Sequence, residues 1–119
     1  MTQEDNHIYE GQISDFFALD NCVALVAGGY GGIGAALSLG LAQQGAKIAI
    51  AGRSEVKATQ FAQMLNAKNH DSFGVAFDVK DPDDIARMTN TVVEQYGKID
   101  VLVNCVGTQI EKPAEDYAV

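Results

Sequence analysis

The stretch Val23–Arg53, VALVAGGYGGIGAALSLGLAQQGAKIAIAGR, sets glycines at 28, 29, 31, 32 and 34 between two apolar runs. A chain built this way must turn sharply at the glycines, and the flanking residues decide what the turn joins. Val23–Ala27 is apolar without alternation, the pattern of a strand covered on both faces in a parallel sheet. Beyond the turn, Ile33, Ala36, Leu37, Leu41 and Ala42 recur at helical spacing, which predicts a helix from about Gly32 with these residues as its apolar stripe. Gly45, after Gln44, is placed to close that helix. Lys47–Ala51 (KIAIA) is a second buried strand, so the segment reads as one strand–helix–strand crossover.

Two registers fit the glycines. Gly29, Gly31 and Gly34 satisfy G-x-G-x-x-G, while Gly28, Gly32 and Gly34 satisfy G-x-x-x-G-x-G. Either suits a turn in which a diphosphate approaches the backbone with no Cβ in the way. The helix that follows aims its unpaired N–H groups and positive dipole end at that point. The plainer alternative is a tight turn with no ligand, and the strand–helix–strand context favours nucleotide binding.

The rest of the chain repeats the alternation. Ser54 is a candidate N-cap for a helix with Phe61, Met64 and Leu65 on one face. Phe73–Phe77 is a third strand. Asp81-Pro82-Asp83-Asp84 combines a cap, an early proline and acids against the dipole. Ile85, Met88, Val92 and Tyr96 continue that helix's buried stripe, and Gly97 ends it. Val101–Val103 is a fourth apolar strand. The expected fold is α/β: a Rossmann-like doubly wound parallel sheet, four strands joined by three helices, in spatial order 3-2-1-4 with right-handed crossovers. Such sheets have roughly six strands, so this one is read as truncated, with its fourth strand an exposed apolar edge open to pairing with another chain. Residues 1–18 are expected to form a polar, mobile arm in which Phe16 and Phe17 pack locally, and residues 19–119 to form the domain.

Sixteen acidic against eight basic residues give a net charge of −8. That disfavours nucleic acid or an anionic membrane as partner. The sequence contains no run long enough to span a membrane, and its start (MTQEDNHIYEG) lacks the regions of a signal peptide. Cys22 and Cys105 have no metal-ligand spacing and read as near-core thiols, with a reducing cytoplasm as the natural compartment. His7 and His70 sit in polar contexts and are poor acid–base candidates.

With Ala27–Gly34 (AGGYGGIG), Asp78-Val79 after the third strand and Asn104-Cys105-Val106-Gly107 after the fourth, the chain resembles the N-terminal half of a short-chain dehydrogenase/reductase. In that family the turn is usually T-G-x-x-x-G-I-G, the third strand is followed by D-V or D-L, and the fourth by N-N-A-G. Ala27 departs from the usual Thr, whose hydroxyl ties the turn to the fourth strand, and Cys105 and Val106 replace Asn and Ala. The resemblance spans about Leu19 to Tyr117. It implies a dinucleotide site formed by Gly28, Tyr30, Gly31, Gly32, Ile33, Gly34, Arg53, Ser54, Asp78, Val79, Asn104 and Gly107. Tyr30 would either cover the diphosphate or face solvent. Asp78 would accept from the adenine amine beside Val79, unless it caps a local turn. Asn104 and Gly107 would line the approach to the nicotinamide ribose, with Asn104 alternatively a structural brace.

Cofactor choice rests on Gly52-Arg53-Ser54. An NAD site would place an acid here for the ribose 2′-hydroxyl. With no acid to repel a 2′-phosphate and Arg53 to pair with it, the sequence predicts NADP(H) over NAD(H). The family's catalytic serine, tyrosine and lysine have no counterpart. No Y-x-x-x-K occurs, and Tyr117 is not read as the catalytic tyrosine. The expected role is therefore the NADP-binding portion of an oxidoreductase that interconverts a carbonyl and an alcohol, inactive alone, its small-molecule substrate met only in a longer parent. The alternatives are a non-catalytic nucleotide-binding module or an interaction fragment.

Overall fold

The computed structural model describes residues 13–107 together with Pro113 and Asp116. Strands β1 (Val23–Ala27), β2 (Lys47–Gly52), β3 (Ser72–Ala76) and β4 (Val101–Asn104) alternate with helices α1 (Gly32–Gln43), α2 (Glu55–Ala67) and α3 (Pro82–Tyr96). The strands are all parallel, in the order β3-β2-β1-β4. Val23 pairs with Lys47 on one side, and Ala24 pairs with Val101 on the other. This is the expected truncated doubly wound sheet, with β1 central and β4 at an edge.

Each strand residue has one of two destinations. Ala24, Val26, Ile48 and Ile50 pack with Ala42, Ala58, Ala62 and Leu65 on the face covered by α1 and α2. Val23, Leu25, Ala49, Ala51 and Val75 pack with Met88 and Val92 on the face covered by α3. Burial on both sides is why β1 and β2 read as unbroken apolar runs.

The helix ends follow local chemistry. The Ser54 hydroxyl accepts from the Lys57 N–H at 3.2 Å, a cap typically worth about 1 kcal/mol. Asp81 accepts from Asp83 and Asp84 N–H groups, Pro82 opens α3, and Gly97 closes it at φ 84°. Gln44 is the last cap of α1, with Gly45 beyond it at φ 106°.

The stripe assigned to α1 needs correction. Its buried residues are Gly34, Ser38 and Ala42, while Ile33 is 77% exposed and Leu37 and Ala36 also face outward. Nearly every residue of GIGAALSLGLAQ is small or apolar, so hydrophobicity marks more than one face. Close packing selects the small one. On α2 the buried residues are Ala58, Ala62 and Leu65, with Phe61 half-buried and Met64 exposed, for the same reason. On α3 the stripe is as expected, with Met88 and Val92 buried and Ile85 and Tyr96 half-buried.

Part of the expected N-terminal arm, Ile13–Phe17, forms a short 3-10 helix. Phe16 and Phe17 do not pack locally; they are 63% and 65% exposed, because so short a helix presents no apolar side to the sheet. The rest of the arm, residues 1–12, lies outside the described residues. At the other edge only Leu102 of β4's apolar trio is exposed. Val101 and Val103 are half-buried against the α1–α2 face.

One polar clip joins the first strand to the last. The Val23 N–H donates to Asp100 Oδ2 at 2.8 Å, and Lys98 Nζ stands 3.1 Å from the same oxygen. The Val23 N–H first, then Lys98, hold the Asp100 carboxyl below its ordinary range, against a smaller opposing effect of desolvation. Because the folded pKa is depressed, the clip contributes fully above the unfolded value near 3.8 and is lost as pH falls through the folded one. Asp100→Asn, which removes the charge but keeps an acceptor, should lower stability at pH 7 and approach the wild type only in denaturant melts taken well below pH 3.8.

Candidate functional site

The carboxyl ends of the four strands meet a groove at the place where the strand order reverses between β1 and β4, the usual ligand position in open α/β sheets. Its walls are the β1–α1 turn, the end of β2, and the loops after β3 and β4. A cavity of about 340 Å³ takes Gly28, Tyr30, Gly31, Arg53, Val79 and Gly107 among its lining. A second, of about 360 Å³, runs on from it past Gly31, Gly32, Ile33, Gly34 and Asn104.

The turn is held by close backbone packing. Gly28 lies at φ +77°, and a Cβ there would stand 3.0 Å from the Cys105 carbonyl carbon and oxygen. At Gly34 a Cβ would stand 1.9 Å from the Gly28 oxygen. Two further bonds fix the arrangement: Cys105 N–H donates to the Ala27 carbonyl at 2.8 Å, and the Ser38 hydroxyl donates to the Gly29 carbonyl at 3.2 Å. The first continues the β1–β4 ladder and ties the start of the turn to the loop after β4 through backbone alone.

Gly31 and Gly32 behave differently. A Cβ at Gly32 would meet nothing within 4 Å, and at Gly31 only the Gly28 oxygen at 3.7 Å. Protein packing does not require glycine at either position, and both border the groove. The N-terminus of α1 starts at the same point. Its cap residue, Gly31, makes no side-chain hydrogen bond, whereas α2 and α3 are capped by Ser54 and Asp81. The helix whose end opens into the groove is thus the one whose first-turn donors lack a side-chain acceptor. Open backbone, free donors and a positive dipole end suit a diphosphate.

The remaining predicted residues fall around this centre. Arg53 is exposed at the end of β2 and has no ion pair among the described residues. Tyr30 is half-buried and lines the groove rather than simply facing solvent. Its ring lies against Gly52, and its hydroxyl oxygen accepts from the Ser54 N–H at 3.0 Å. Ser54 therefore contributes its N–H to Tyr30 and its hydroxyl to α2. Asp78 Oδ1 accepts from the Lys80 N–H at 2.9 Å, the local turn weighed against adenine binding. The other carboxyl oxygen has no partner among the described residues. Asn104 Oδ1 similarly accepts from the Val106 N–H at 3.1 Å and stiffens the loop after β4.

Sequence reasoning missed the bracket behind Asp78. Asp84 Oδ2 accepts from the Asp78 N–H at 2.6 Å, and Asp84 Oδ1 accepts from Arg87 Nε at 2.7 Å. Arg87 also donates to the Ala76 carbonyl at 2.5 Å. The Arg87 hydrogen bond, then the Asp78 N–H, hold the Asp84 carboxyl below its ordinary range. The i, i+3 spacing of Asp84 and Arg87 was the available signal. Tyr117 lies outside the described residues. Among the described residues there is no cluster that could hold a metal ion, and no helix is long and apolar enough to cross a membrane.

The profile of the family described as short chain dehydrogenase matches residues 22–119. The chain belongs to the short-chain dehydrogenase family. It is 38% identical over 95 residues to an uncharacterized oxidoreductase of Mycobacterium tuberculosis, covering 80% of this chain and 36% of that one. It is 42% identical over 86 residues to the 3-oxoacyl-[acyl-carrier-protein] reductase FabG of Staphylococcus aureus, covering 71% and 35%. Among solved structures, the Pseudomonas aeruginosa RhlG/NADP active-site complex superposes with TM-score 0.73 at 31% identity, covering 78% of this chain and 37% of that one. The chain thus spans well under half the length of these relatives.

Packing separates the glycines into two tests. Gly34→Ala forces backbone against backbone and should cost at least about 1–3 kcal/mol in chemical unfolding, the usual overpacking penalty. Gly32→Ala should leave the unfolding midpoint nearly unchanged while weakening dinucleotide binding in a fluorescence titration.

Proposed function

We propose that this chain is the NADP-binding portion of an oxidoreductase that interconverts a carbonyl and an alcohol. The observation that carries the reading is the uncapped N-terminus of α1 opening, beside the bare backbone of Gly31 and Gly32, onto the groove at the strand ends. The diphosphate would rest on that helix end. The adenosine would extend toward Arg53, Ser54, Asp78 and Val79, and the nicotinamide ribose toward Ile33, Asn104 and Gly107. When bound, the cofactor supplies hydride chemistry. This chain's residues bind and orient it, and the bracket of Asp84 and Arg87 fixes the loop that carries Asp78.

The relatives support the oxidoreductase class, and the Pseudomonas neighbour is a complex with NADP. Preference for NADP over NAD is read from charge. Gly52 carries no acid, and Arg53 is a guanidinium at the groove with no ion pair among the described residues. The chain's acidic balance makes this local cation the more important for an anionic ligand. The carbonyl substrate, and the acid–base groups that would act on it, belong to a longer parent containing the length that the relatives have beyond this match. Residues 19–119 would form the binding domain, with residues 1–18 outside it.

Titration with NADPH and NADH, followed by cofactor fluorescence, tests the reading. NADPH should bind more tightly, and Arg53→Ala should weaken it about tenfold or more with little change for NADH, as expected for a hydrogen bond to a charged group. Equal affinities in the wild type would refute the preference.

A second reading is favoured by one observation: Leu102 is 66% exposed on the edge strand β4. This edge would pair with another chain, or with a further strand of a longer parent. Leu102→Lys should shift any self-associated species toward monomer in size-exclusion chromatography, leaving far-ultraviolet dichroism intact.

A further inference from the structure

Asp78, in the loop between β3 and α3, is held at every polar group but one. Its N–H donates to Asp84 Oδ2 at 2.6 Å, its carbonyl accepts from the Asp81 N–H at 3.1 Å, and its Oδ1 accepts from the Lys80 N–H at 2.9 Å. Only Oδ2 is left without a partner among the described residues. Asp84 is aimed in turn. Arg87 Nε donates to Asp84 Oδ1 at 2.7 Å, and a second arm of the same guanidinium donates to the Ala76 carbonyl at 2.5 Å. The planar fork thus joins the last residue of β3 to the first turn of α3. Arg87 is exposed and Asp84 half-buried, and an i, i+3 ion pair at a surface contributes little to stability. What the pair does supply is direction, since it fixes the Asp78 backbone and with it the open carboxyl oxygen. Asp78, Asp84 and Arg87 line a cavity of about 370 Å³ that shares Arg53 and Phe77 with the groove.

Resting on the reading of this groove as an NADP site, we propose that Asp84 and Arg87 are positioning residues that set the cofactor's base selectivity through Asp78. Neither has to touch the base. Asp78 is exposed, and an unbraced carboxylate there would turn freely toward water. Hydrogen bonds weaken steeply as their angle departs from linear, so the open oxygen distinguishes bases only while it is held in one direction. Adenine presents an amine at C6, which donates to that oxygen. Hypoxanthine presents a carbonyl there, an acceptor facing a carboxylate. A preorganised acceptor needs no ordering when the base arrives. The brace therefore acts on affinity for adenine and leaves the diphosphate and nicotinamide contacts unchanged.

NADPH and reduced nicotinamide hypoxanthine dinucleotide phosphate differ only in the base, and both carry the fluorescent dihydronicotinamide. Each would be titrated into the wild type, Arg87→Ala, Asp84→Asn, Asp78→Ala and the double variant Asp78→Ala/Arg87→Ala. The wild type should prefer NADPH by about tenfold. Arg87→Ala should lose most of that preference by weakening NADPH alone, with a thermal midpoint close to the wild type. Asp84→Asn, which removes the charge that Arg87 pairs with, should act in the same direction and carries the test if Arg87→Ala fails to fold. Asp78→Ala should abolish the preference, and adding Arg87→Ala to it should change nothing further, because the bracket acts only through Asp78. Equal losses for both cofactors would reduce the bracket to structural support. An unchanged preference in Arg87→Ala and Asp84→Asn, or a further change in the double variant, would also overturn the proposal. A wild type that binds both cofactors equally would end the role of Asp84 and Arg87 while leaving the NADP site in place. A wild type that binds neither would end both.

Discussion

The structure depends on the contact between Gly34 at the start of α1 and the carbonyl of Gly28 before it. No side chain fits between them, so the turn can close only as backbone on backbone. That closure fixes where α1 begins, how it is rotated and how near it lies to β1. The rotation puts Gly34, Ser38 and Ala42 against the sheet and leaves the first-turn N–H groups pointing into the groove. Packing and binding are thus two results of one steric constraint. The two kinds of glycine separate along this line, those that face protein and those that face the groove.

Around that turn, polar groups near the groove mostly hold one another. Asp78, Asn104 and Ser54 each spend an oxygen on a nearby backbone N–H. Such bonds order loops that would otherwise lose conformational entropy on binding, and preorganisation of this kind raises affinity without adding a contact. Asp84 and Arg87 serve the same end from one turn of α3, reaching back to β3 and to Asp78.

Much of this was legible in the sequence because it is local. The strand–turn–helix unit, the caps at Ser54 and Asp81 and the stripe of α3 are all set by residues within a few positions of one another. The strand order was legible because crossovers in parallel sheets have one hand. The buried face of α1 was not, since its residues are apolar on more than one side and hydrophobicity cannot rank them. Tyr30 against Ser54 was not legible either. The two are 24 residues apart, and the contact exists only because Gly52 leaves space for a ring. Phe16 and Phe17 misled in the opposite sense, since aromatic character suggests packing but does not supply a surface to pack on.

The clip between Val23 and Asp100 bridges 77 residues, and this separation matters while the chain is being made. β1 emerges first and finds β2 soon afterward, but its other edge must wait for β4. At synthesis rates of roughly 5–20 residues per second, the delay is about 4–15 s. Throughout that interval the central strand of the sheet carries one row of unsatisfied backbone groups. A nascent chain of this design is open to chance pairing at β1 until β4 is made, and the arrival of Asp100 marks the end of that exposure for β1.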